Sequence, residues 1–136
     1  MSIKFYLRPA LFALGMTLSF LLPAQKLNPV IEKRIDALLA KMTTEEKAGE
    51  MTQLSLDMIC VGSSYNLTQP NTIDPAKLKK VIQDYHVGSI LNVGTSAHTA
   101  ARWQEIITEI QAEAAKSRLK IPVLYGIDAI HGVNYT

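Results

Sequence analysis

Two short apolar runs bracket a helix-length segment in the second half of the chain. Val87-Gly88-Ser89-Ile90-Leu91-Asn92-Val93 comes first, and Ile121-Pro122-Val123-Leu124-Tyr125-Gly126-Ile127-Asp128 second. Between them Trp103, Ile106, Ile107 and Ile110 recur at helical spacing, with cap candidates at Thr95 to Thr99 and an end near Ser117. Another helix precedes the first run. Asp74-Pro75 offers a side-chain cap followed by proline at the first helical position, and Leu78, Val81, Ile82 and Tyr85 form one inward face. Helix, strand, helix, strand, with both strands apolar enough to be buried on two faces, predicts an α/β fold in which helices cover a parallel sheet. Such a sheet closes as an open doubly wound sheet or as a (β/α) barrel. Gly94 stands alone, and Gly126 and Gly132 lack the dinucleotide-binding spacing, so a nucleotide-binding doubly wound fold loses its main support.

The first half is consistent with this. Val30, Ile31, Ile35, Leu38 and Leu39 make an apolar stripe over a helix from Pro29 to Lys41. Thr43-Thr44-Glu45-Glu46 predicts a capping box opening a short helix that ends near Ala48 or Gly49. Met51 to Leu56 is a candidate strand, and Asp57 to Thr72, rich in Gly, Ser, Asn, Gln and Pro, predicts a surface loop. There are no internal repeats. A hydrophobic fraction of 48% argues against disorder, and a lone Cys60 excludes a disulfide framework within the chain. Cys60 has no basic neighbour in sequence and is expected to be an ordinary thiol. With 14 Lys+Arg against 12 Asp+Glu, nothing points to nucleic acid as a partner.

The amino terminus reads as a leader. Lys4 and Arg8 precede an apolar run from Ala10 to Leu22, followed by Pro23-Ala24-Gln25. A basic start, a short apolar stretch and a small residue before a polar one predict a secretory signal peptide over residues 1–24, cleaved after Ala24. The run is shorter than the ~20 residues of a spanning helix, so no permanent membrane span is expected once the leader is removed; the alternative is an uncleaved anchor, since Leu22 is large for the position two before Ala24. Export to the periplasm or the outside follows. The 112 residues from 25 to 136 then carry 12 charges of each sign.

Functional groups of parallel α/β folds stand at the carboxyl ends of the strands, where loops surround a crevice or barrel mouth. Asp128 ends the second apolar run and is such a group. Its carboxylate is suited to sugar hydroxyls, a metal or proton transfer. The same position also suits an aspartate that caps the turn Ala129-Ile130-His131-Gly132, and position alone does not separate these roles.

Tyr125-Gly126-Ile127-Asp128-Ala129-Ile130-His131-Gly132-Val133-Asn134 resembles a signature of the family 3 glycoside hydrolases, which include many secreted bacterial β-glucosidases. Three other segments are similar in the same order: Arg34 to Met51 to the family's opening helix pair, Val87-Gly88-Ser89-Ile90-Leu91 to an early barrel strand, and Lys116 to Pro122 to a helix-to-strand junction. Departures are small, with Glu50 where an amide is usual and Ala48 where a larger aliphatic is usual. The resemblance implies the N-terminal part of a (β/α)8 TIM-type barrel, incomplete in this chain, over residues 25–136. It implies a retaining hydrolase acting on a β-glucoside or oligosaccharide, without a cofactor, and gives Asp128 the role of binding hydroxyls of the terminal non-reducing glycosyl unit. Asp128-Ala129-Ile130-His131-Gly132 sides with the β-glucosidase and β-xylosidase branch against the N-acetylglucosaminidase branch.

Retaining hydrolysis needs two carboxyl groups about 5–5.5 Å apart. No residue of this chain is expected to be catalytic. Glu45 and Glu46 start a helix, and Glu105, Glu109 and Glu113 predict a solvated helix face. The resemblance implies a nucleophilic aspartate on a later barrel strand and an acid/base further downstream, both beyond residue 136, and the fragment alone is expected to fold poorly, since a barrel takes roughly 200 residues or more. His86, His98 and His131 have no metal-ligand spacing, and His131 reads as a brace for its loop. Asn66-Leu67-Thr68 and Asn134-Tyr135-Thr136 match the glycosylation sequon, a pattern that arises easily by chance. Trp103 reads as core packing. The alternative to a hydrolase is a non-catalytic exported α/β remnant that binds sugar or a protein partner.

Overall fold

The computed structural model describes residues 28–63, 66–67, 71–92, 96–129 and 132. The segment expected to be a leader, Thr95, His131, Thr68 of the first sequon and the whole of the second lie outside them. Two compact units divide the chain, residues 1–40 and 41–136. In the first, helix α1 (Pro29–Leu39) starts on Asn28, whose side chain accepts from the Val30 backbone N–H at 3.0 Å, with proline at the first helical position.

The second unit opens on helix α2 (Thr44–Glu50) with both halves of the capping box formed. The Glu46 N–H donates to Thr43 Oγ1 at 3.2 Å and the Thr43 N–H to Glu46 Oε2 at 2.9 Å. Strand β1 (Gln53–Ser55) runs into a 3-10 turn (Leu56–Ile59) and a small hairpin of β2 (Gly62–Ser63) and β3 (Asn66–Leu67). Helix α3 (Pro75–Lys79), capped by Asp74, continues as a π-helical turn over Lys80–Asp84. Strand β4 (Ser89–Leu91), helix α4 (Ala100–Ala114) and strand β5 (Leu124–Gly126) follow. Thr99 caps α4 by accepting from the Arg102 N–H at 3.2 Å. No helix among the described residues is long and apolar enough to cross a membrane.

Strands β1, β4 and β5 form one parallel sheet with β4 central. Gln53, Ser89 and Leu124 are level, then Leu54, Ile90 and Tyr125, then Ser55, Leu91 and Gly126. Side chains alternate between faces. Ile90, fully buried between Leu54 and Tyr125, packs into a core with Leu56, Leu78, Val81, Ile82, Ile106, Ile110 and Val123.

Four sequence expectations are corrected here. Among the described residues the strands are covered on one face rather than two: Leu124 is 71% exposed, and Gln53 Nε2 meets Ser89 Oγ at 2.7 Å on the same open face. The helical layer lies on the side of Ile90, and among the described residues β5 pairs with β4 alone. Asp57 to Thr72 is not simply a surface loop, because Asp57, Ile59, Cys60 and Asn71 are buried. Among its described residues, backbone groups bond internally through the Cys60–Ile73 bridge, Val61 N–H to Thr72 O at 2.9 Å, and Lys77 Nζ to Cys60 O at 2.7 Å.

Tyr85 is exposed, not inward. The π-helical turn widens the helix, so the Tyr85 N–H bonds to Lys80 O, five residues back at 3.0 Å, and the side chain rotates off the α-helical stripe. Glu113 is buried, not solvated: Lys116 Nζ donates to it at 2.7 Å, and Gln83 Nε2 reaches it from the π-helical turn. Glu105 and Glu109 do stand on an accessible face, both paired with Arg102.

Candidate functional site

Three polar residues follow the three parallel strands at their carboxyl ends: Asp57 after β1, Asn92 after β4 and Asp128 after β5. Asp128 lies two residues beyond Gly126 and is exposed, on the end of the sheet where α/β folds place ligands. Asp57 is 2% exposed and accepts from the Ser55 hydroxyl, which makes it a buried brace at the level where Asp128 is open to solvent.

Asn92 is 3% exposed and joins β4 to β5 twice. Its backbone N–H donates to Gly126 O at 2.8 Å, and its Oδ1 accepts from the Tyr125 hydroxyl at 3.0 Å. Burial pushes the Tyr125 phenol up to about 12, so the hydroxyl stays a protonated donor throughout the neutral range. Neither residue stands out in sequence, since both sit inside apolar runs. The available signal is a single amide closing an otherwise apolar strand.

Behind this edge, the buried Asn71 has a left-handed backbone (φ 49°), which asparagine tolerates. Its Oδ1 meets His98 Nε2 at 2.9 Å, and Arg102 Nη2 donates to its carbonyl at 3.2 Å. His98 packs edge-on to Trp103 with ring centroids 4.8 Å apart, and Trp103 in turn lies against the core. Cys60 is fully buried, and its thiol is pushed up to about 11 by burial and then by the Asp57 charge, so it is held as an unreactive thiol. No group of three or more His, Cys, Asp or Glu among the described residues is arranged to hold a metal ion.

The opposite end of the sheet is structural. Arg118 Nε donates to Glu46 Oε1 at 2.9 Å, and Nη2 to Glu46 Oε2 and to Lys41 O. Arg118 and then the Thr43 N–H hold the Glu46 carboxyl down at about 2. A cavity lined by Glu50, His86, Gly88, Ser117 and Leu119 opens here, at the amino ends of β4 and β5 and away from Asp128. In barrel-type folds this end serves stability.

A helix-covered parallel sheet with polar groups at its carboxyl ends is the plan of an α/β enzyme domain. Residues 34–135 match the glycosyl hydrolase family 3 N terminal domain. The chain belongs to that family. Among its relatives, a protein of Dictyostelium discoideum named lysosomal beta glucosidase is 36% identical over 112 residues, covering 74% of this chain and 13% of that protein. Proteins of Aspergillus flavus and Aspergillus oryzae named probable beta-glucosidase C are each 33% identical over 103 residues, covering 74% of this chain and 15% of theirs. The chain thus spans about one seventh of the length of the relatives it matches.

Proposed function

We propose that this chain supplies the N-terminal portion of the (β/α)8 barrel of an exported, retaining β-glycosidase of the β-glucosidase type. It cleaves terminal non-reducing β-D-glucosyl or related residues, with the nucleophile and acid/base supplied by residues outside these 136. The observation that carries the reading is the exposed Asp128 at the carboxyl end of a parallel strand, inside the segment that matches the family. The relatives named as beta-glucosidases support the substrate class.

In this reading the open face of the sheet, with Gln53, Ser89 and Leu124, is turned to the barrel interior. The Asp128 carboxylate accepts hydrogen bonds from hydroxyls of the glycosyl unit. Such charge-assisted bonds fix the ring's orientation before the anomeric carbon is attacked. Four of the described glutamates are held by partners: Glu46 by Arg118, Glu113 by Gln83 and Lys116, and Glu105 and Glu109 by Arg102. The reading assigns attack and leaving-group protonation to groups elsewhere in the protein. Residues 1–24 act as a leader removed on export to the periplasm or beyond, and residues 25–136 belong to the barrel.

The test is expression of the full reading frame, followed by assay with 4-nitrophenyl β-D-glucoside, β-D-xyloside and N-acetyl-β-D-glucosaminide. Release of 4-nitrophenol from the glucoside, with β-glucose as the first product seen by NMR, is expected. No release from any of the three would overturn the reading.

A further inference from the structure

Asn92 is a buried amide at the end of an apolar strand, a costly placement unless its polar atoms are used. Its backbone N–H already extends the β4–β5 ladder to Gly126 O. An apolar residue at this position would keep that bond, so the side chain serves something further. Its Oδ1 receives the hydroxyl of Tyr125, which is level with Ile90, two residues back along the sheet. Two strand residues span about 7 Å, so the phenol and the Asn92 amide together bridge from the middle of β5 toward the level of Ile127. That is where β5 leaves the sheet, one residue before Asp128.

We propose that Asn92 and Tyr125 form a clamp that holds the departing end of β5 and so sets the position of the Asp128 carboxylate. Both are positioning residues, acting through Asp128 and not on the sugar itself. The consequence for substrate rests on the glycosidase reading above, whereas the clamp stands on the two Asn92 bonds alone. Without the Tyr125 hydroxyl, β5 remains paired at Leu124, whose N–H donates to Gly88 O at 2.8 Å, and at Gly126, whose O accepts the Asn92 N–H at 2.8 Å, but the side-chain half of the clamp is lost.

The experiment uses the full-length protein with Tyr125→Phe, and Ile106→Val as a core variant of comparable destabilisation. Hydrogen exchange reads the clamp directly. The amides of residues 127–129 should exchange at least about tenfold faster in Tyr125→Phe, with Val123 and Leu124 unchanged, and neither change should occur in Ile106→Val. Unaltered exchange at 127–129, or an equal rise along the whole strand, would overturn the clamp whatever the substrate. With an aryl β-glucoside, kcat/KM should fall about 3- to 10-fold in Tyr125→Phe, and this loss should vanish in an Asp128→Asn background. A loss carried undiminished into that background would overturn the action through Asp128. An enzyme inert to glucosides with faster exchange at 127–129 would overturn the glycosidase reading and leave the clamp intact.

Discussion

Glu46 shows how much one side chain holds together at the amino end of the sheet. Its carboxylate closes the capping box of α2 and also receives the Arg118 guanidinium, 72 positions further along the chain. The first role is legible in Thr43-Thr44-Glu45-Glu46 because a capping box is local. The second is not, because nothing near Glu46 in sequence names its partner. The folded carboxyl sits at about 2, below its ordinary 4.5, so the ionised form favours folding. That contribution is complete above pH ~4.5 and is lost as the pH falls toward ~2. In Glu46→Gln, unfolding free energy should therefore fall less steeply over this window, as measured by denaturant titration at several pH values. Gly88 sets a second residue-level constraint. A Cβ there would stand 2.4 Å from Glu50 O, a backbone atom that cannot swing aside. Gly88→Ala should cost about 3 kcal/mol in chemical denaturation, as overpacking against backbone does.

At the scale of elements, the helices were readable from their caps and stripes. Asn28, Thr43, Asp74 and Thr99 each accept a backbone N–H at a helix start. Ile106 and Ile110 of α4 are fully buried, as their spacing implies. Ile106→Ala should destabilise the unit by about 2–5 kcal/mol, seen as a lowered thermal midpoint, because the cavity it leaves faces a packed sheet. Elements that depend on geometry between segments were less readable. Tyr85 follows the α-helical stripe in sequence and leaves it in space, since the π-helical turn changes the angle per residue. The segment after β1 looks solvated from its Gly, Ser and Asn content. It is nevertheless pinned under Lys77 and the Cys60–Ile73 bridge, contacts that only tertiary structure reveals. Leu124, apolar and in a strand, is open because, among the described residues, helices cover one face of the sheet alone.

At the scale of the molecule, family membership, the parallel sheet and the exposed carboxylate at its carboxyl end are the observations that support the proposed glycosidase reading. The place of Asp128, exposed just beyond a parallel strand, was legible from the apolar run it follows, whereas its role toward sugar belongs to the proposal. Asn92 and Tyr125 were not, because a bond across two strands leaves no mark in either run. The central claim is that Asp128 holds the glycosyl unit, and its most direct measurement is the steady-state kinetics of Asp128→Asn in the full-length protein with 4-nitrophenyl β-D-glucoside. Loss of charged hydrogen bonds to the sugar predicts a fall in kcat/KM of about 10- to 100-fold with the thermal midpoint unchanged. A variant that turns over the glucoside within twofold of the parent would contradict the account.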